Sequence, residues 1–192
     1  MTRARSLSRA LAATALAAAL AGCAGSGVSR VWGRSYFAPY NIATFSAFAA
    51  SGPVVEIRGA PPGGAGPEAA AEALRLPGWW PQTPFRLSDA PPGSTDGSRI
   101  VLVFGAQGGV DPIALCRGGG PEGGARETLT VQAAYCVGSR AGSGAVLEAG
   151  RRLGPGDAEF SREMIRLMDA IAPRSDPLER NRRDGPIWLL GR

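Results

Sequence analysis

The first 23 residues constrain this chain more than any other stretch. Arg3, Arg5 and Arg9 give a positive start without an acid. Ala10 to Leu20 is apolar apart from Thr14, and two small residues, Ala21 and Gly22, precede Cys23. A charged start, an apolar middle and a small-residue junction make a secretory signal peptide. A membrane-spanning helix needs about 20 consecutive apolar residues, and this run is shorter. Residues 1–22 therefore drop out of the folding problem, and the rest is expected in an oxidising compartment. That leaves 170 of the 192 residues, from Cys23 to Arg192, enough for one ordinary domain with a core.

The junction Leu20-Ala21-Gly22-Cys23 resembles the lipobox of bacterial lipoproteins. The resemblance covers only the signal and its junction. It implies a diacylglycerol on the Cys23 sulfur, cleavage before Cys23, and acylation, typically by palmitate, of the new amino group. One acyl chain binds a bilayer marginally, at about 0.8 kcal/mol per buried CH₂, whereas three hold it permanently. The partner so implied is the lipid bilayer, through acylated Cys23. Ala24 follows, where Asp favours the inner membrane in Gram-negative lipoproteins. The expected location is thus the outer membrane, facing the periplasm. Residues 23–35 read as lipidated cysteine and flexible tether, with Trp32 either at the lipid interface or the first residue to pack on the domain.

Charge and composition then exclude several chemistries. The formal charge of +5 falls to +2 once Arg3, Arg5 and Arg9 leave with the signal. Nucleic-acid binding rests on a strong basic patch, so no nucleic-acid partner is expected. All 21 basic residues are arginine and there is no histidine. This removes Ser-His-Asp and Cys-His catalysis, imidazole metal sites, Schiff-base lysines and the Walker lysine. Neither a cofactor nor a metal is expected.

With Cys23 assigned to lipid, Cys116 and Cys136 remain. One reading is a structural disulfide around a loop of about 20 residues, which stabilises by about 3 kcal/mol in the chain-entropy model. The other is a redox pair, which lacks the close Cys-x-x-Cys spacing. The enclosed stretch 117–126 is glycine-rich and has little to pack.

Along the domain, residues 36–50 are apolar and aromatic without a clear period, and parts read as strand. In 54–58, Val55 and Ile57 share one face and Glu56 and Arg58 the other. Pro67, Glu68 and Pro77 punctuate a short helix over 67–75. Trp79 and Trp80 follow: either rings for stacking on a sugar or peptide, or caps of the core with one ring buried. Residues 99–104 are a continuous apolar run after Arg99, the pattern of a strand covered on both faces. Gly105 to Gly109 reads as a turn, since its spacing does not fit a phosphate loop. Residues 128–137 alternate, with Leu129, Val131, Ala133 and Tyr135 on one face, and 145–148 is a candidate hairpin partner after a turn at 139–144. Residues 157–172 form the clearest helix, with Phe160, Met164, Leu167, Met168 and Ile171 in one stripe and Asp157 as its cap. Residues 173–192 form a polar tail with Arg180, Arg182 and Arg183 and an apolar end containing Trp188.

The expected fold is a single small α+β domain over 36–172, a mostly antiparallel sheet packed by helices 67–75 and 157–172. The functional expectation is a membrane-anchored envelope lipoprotein that binds or scaffolds without catalysis. Its partner would be an envelope protein or glycan, and its candidate binding surface Trp79, Trp80 and Trp188. Two alternatives stand beside it: a glycan hydrolase using loop carboxylates among Asp89, Asp96, Asp111 and Asp157, and a small-ligand carrier.

Overall fold

The computed structural model describes residues 27–179. Cys23, Trp188 and the arginines at 180, 182 and 183 lie outside them. The element order is β1 (Ser29–Tyr36), α1 (Ile42–Ala50), β2 (Val54–Arg58), α2 (Pro67–Ala73), β3 (Arg86–Leu87), β4 (Ser98–Phe104), α3 (Pro112–Cys116), β5 (Leu129–Val137), β6 (Arg140–Ala149) and α4 (Ala158–Ile171). The strands form one sheet in the order β1-β6-β5-β4-β2-β3. The pairs from β1 through β4 are antiparallel, while β2 runs parallel to both β4 and β3. The fold is the expected small α+β domain with a mostly antiparallel sheet.

Alternation on the strands decides what each face carries. Val55, Ile100, Leu102, Phe104, Leu129, Val131, Ala133, Tyr135 and Leu147 point to one face and join the main core. Onto it pack α4, through the expected stripe of Phe160, Met164, Leu167, Met168 and Ile171, and α2, through Ala70 and Ala71. A third helix, α1, adds Phe45, Phe48 and Ala49. Phe45 lies with its ring centroid 4.8 Å from Trp80 and 4.9 Å from Tyr135, which joins helix, loop and sheet in one aromatic cluster.

Four expectations need correction. The tether does not extend to residue 35, because from Ser29 the chain is β1, an edge strand on β6. Its alternation is interrupted at Gly33, where φ is +65° and the register with β6 shifts. Residues 42–50 are helix rather than strand, begun by Asn41, whose side chain accepts from the Ala43 and Thr44 amides. Asp157 does not cap α4 with its side chain; it accepts from the Gly154 amide and closes the turn before the helix. The hairpin turn is also tighter than expected, since Val137 pairs directly with Arg140.

The end of α4 explains how the helix face is locked. The last carbonyls of a helix have no partner within it. Here four side chains from elsewhere supply donors: Tyr36 to Ala170, Ser143 to Ile171, Trp80 to Ala172 and Tyr40 to Pro173, at 2.7, 2.6, 2.8 and 3.2 Å. At the other end of β1, Ser29 donates to Glu163 at 2.6 Å, tying the edge strand to the helix.

Burial of these phenols makes alkaline stability readable. Tyr36, Tyr40 and Tyr135 are the chain's three tyrosines, and burial pushes the pKa of each above the ordinary phenol value. The unfolded chain releases these protons near pH 10 and the folded one keeps them, so stability is full below about pH 10 and falls as pH rises beyond it. With no lysine, no ammonium group titrates in that window. Phenolate absorbance should therefore appear together with loss of the near-ultraviolet dichroism. Phenolate forming with the tertiary signal intact would contradict this packing.

Candidate functional site

The second face of the sheet carries Glu56, Arg58, Arg99, Val101, Val103, Gln132, Ala134 and Cys136. This face is covered by the segment from Gly105 to Arg126, which includes α3. Asp111 starts α3 by accepting from the Ile113 and Ala114 amides, and Pro112 takes the first helical position. The expected turn thus runs into a short helix. Pro112 sits directly on β6: a Cβ added at Gly144 would lie 2.3 Å from its Cγ. Gly109 rests against the Trp32 ring, so Trp32 packs on the domain.

Two fasteners hold this layer down. The first is a disulfide between Cys116, at the end of α3, and Cys136 of β5, with Cα atoms 5.5 Å apart. The second is an ionic cluster. Arg99 is 2% exposed; its Nε donates to Glu56 Oε2 at 3.0 Å, and its Nη atoms donate to the carbonyls of Ser94, Gly138 and Cys116 at 2.7, 3.0 and 2.8 Å. Arg58 donates to Glu56 Oε1 at 2.7 Å and to the carbonyls of Gly119 and Leu115 at 2.6 and 3.2 Å. One carboxylate thus holds two guanidinium groups, which donate to five carbonyls: those of Leu115 and Cys116 at the end of α3, and those of Ser94, Gly119 and Gly138 in the loops around it. The cationic end groups also suit the C-terminal end of α3.

At the hairpin end of this layer lies a groove of about 340 Å³. Phe37, Pro39, Ile113 and Ala141 give it apolar walls, and Arg117 and Arg140 flank it. Ile113 is 42% exposed, one of three large apolar side chains exposed among the described residues, with Val28 and Trp79. Arg117 follows Cys116, and Arg140 pairs with Val137, the neighbour of Cys136. The disulfide therefore brings the two arginines to one place. Both are exposed, and neither has an acidic partner among the described residues.

The sequence-based candidates separate. Trp79 is 45% exposed, but Trp80 is 6% exposed and engaged in the core, so the pair offers one ring and not a stacking surface. This corrects the inclusion of Trp80 in a binding surface; Trp188 lies outside the described residues. Of the four loop acids, Asp111 and Asp157 are engaged by backbone amides. Asp89 and Asp96 line a separate groove of about 390 Å³ beside Arg86 and Ser94. No group of three His, Cys, Asp or Glu residues gathers as metal ligands among the described residues. Sequence reasoning missed Ile113, Arg117 and Arg140; the Asp111-Pro112 helix start and the pairing of the cysteines were the signals that pointed to them.

Arg99 offers a direct test of the ionic fastener. Arg99→Met leaves Glu56 short of a charge and strips the donor from three carbonyls, and should cost about 3–5 kcal/mol in denaturant unfolding without reductant. Adding Glu56→Gln should recover part of that loss, because the two residues act as a unit. Additive effects would contradict the cluster. Comparison of the chain with protein-family models, curated proteins and solved structures gives no match.

Proposed function

We propose that this chain is a lipid-anchored protein of the bacterial cell envelope whose domain works as a binding or scaffolding module rather than a catalyst. The Cys116–Cys136 disulfide carries the reading, because structural disulfides persist in compartments reached by export. It supports the signal peptide and, with it, the lipobox. Lipidation at Cys23, with palmitate on its amino group, anchors the chain to the outer membrane facing the periplasm.

The reach of the anchor follows from the fold. β1 begins at Ser29, six residues after Cys23. Six extended residues span at most about 20 Å. A domain on so short a lead works close to its own bilayer. Among the described residues no helix is long and apolar enough to cross a membrane, so in this reading attachment rests on the lipid.

The test is fractionation of cells producing the full chain. The wild type should stay with membranes through high salt, come out in detergent, and incorporate labelled palmitate. Cys23→Ser should appear in the soluble fraction without label. Continued membrane residence of Cys23→Ser would refute the anchor.

A further inference from the structure

We infer that the groove between Phe37, Ile113 and Ala141, flanked by Arg117 and Arg140, is a docking site for an acidic peptide segment of an envelope protein. This deepens the binding-module reading and rests on it. An apolar side chain of the segment seats beside Ile113, and carboxylates on either side meet the two arginines.

Three observations converge. Ile113 has no task in the core. Its neighbours in α3, Pro112 and Leu115, are buried, whereas Ile113 faces outward into a groove whose other apolar walls belong to β6 and the segment after β1. A β-branched residue held open to water beside a concave apolar surface is the anchor of a contact, as in interfaces where a few buried side chains dominate. The rim supplies the charge. Arg117 and Arg140 stand at the groove without acidic partners among the described residues, so an incoming carboxylate competes with no acid already bound there. Unpaired guanidinium groups with a planar fork favour carboxylates. The walls are also set firmly, because the disulfide joins α3 to the hairpin that carries Arg140. A rigid groove binds with less ordering cost than a loop.

Position selects a peptide over the protein's own bilayer. The lead from Cys23 enters at Ser29, while the groove begins at Phe37, beyond the far end of the eight-residue β1. Seven strand steps at about 3.3 Å put roughly 23 Å between them. The groove opens at the end of the sheet away from the anchor.

The experiment uses the full chain in detergent micelles, panned against a phage-displayed library of random peptides, with phosphatidylglycerol vesicles as a second probe. Selected peptides should carry an apolar residue flanked by acids. Their synthetic forms should bind the wild type and lose at least about tenfold in affinity to Arg117→Glu/Arg140→Glu and to Ile113→Asp. Trp79→Ala should bind as wild type. All these sites are exposed, so unchanged thermal midpoints will separate lost docking from lost folding. Peptides without acidic enrichment, or binding indifferent to these substitutions, would overturn the inference. Binding of vesicles through the same arginines, with no peptide selected, would overturn it in favour of a lipid headgroup. Repeating the binding on Cys23→Ser keeps the two readings apart: a groove that binds on a chain whose anchor has failed its own test leaves docking standing alone.

Discussion

One buried ion pair decides the architecture of the second face. Arg99 lies at the start of a strand whose next five residues are apolar, and its guanidinium is closed off by Glu56 and three carbonyls. A buried pair of this kind adds little net stability against an apolar substitute, but breaking it is expensive. Its use here is one of position. The covering segment from Gly105 to Arg126 is poor in apolar side chains and cannot fasten itself by burial. Glu56, Arg58 and Arg99 gather its carbonyls instead, and the disulfide closes the same corner.

The two faces of the sheet therefore use different physics. The helix face is held by apolar and aromatic packing, with four side chains finishing the end of α4. The second face has a small apolar cluster around Val101, Val103, Leu115 and the cysteines, and relies on charge and covalent closure. A covering layer that spends few apolar residues on its own core can present one outward. Ile113 is that residue, and the groove around it follows from how the layer is fastened.

Much of this was legible in the sequence. The alternation of 129–135 and the stripe of α4 point at the core as the strands and helix do, and the cysteine count gave the pairing seen. The faces of β2 were also readable, although the burial of Glu56 was not, because the arginines that neutralise it depend on carbonyls from 94, 115, 116, 119 and 138. Helix α1 escaped notice since Ile42–Ala50 is apolar almost throughout and shows no period, although Asn41 marks its start. β1 escaped because an edge strand with a glycine at its register shift alternates poorly. The groove was beyond sequence reasoning for a further reason: Arg117 and Arg140 lie far apart in the chain and meet only through the Cys116–Cys136 corner.

The covering layer is thus a separately fastened unit on a self-sufficient sheet. Hydrogen exchange on the full chain, compared with its Cys116→Ser/Cys136→Ser form, separates the two amide by amide. With the disulfide intact, the hydrogen-bonded amides of Leu115, Arg117, Gly118, Gly119 and Gly124 should be protected along with β5. Without it, they should open in a separate step of lower free energy, while β4, β5 and α4 continue to exchange together by global unfolding. If the segment and β5 still open as one unit, or if the segment is unprotected even with the disulfide in place, the account of this face is wrong.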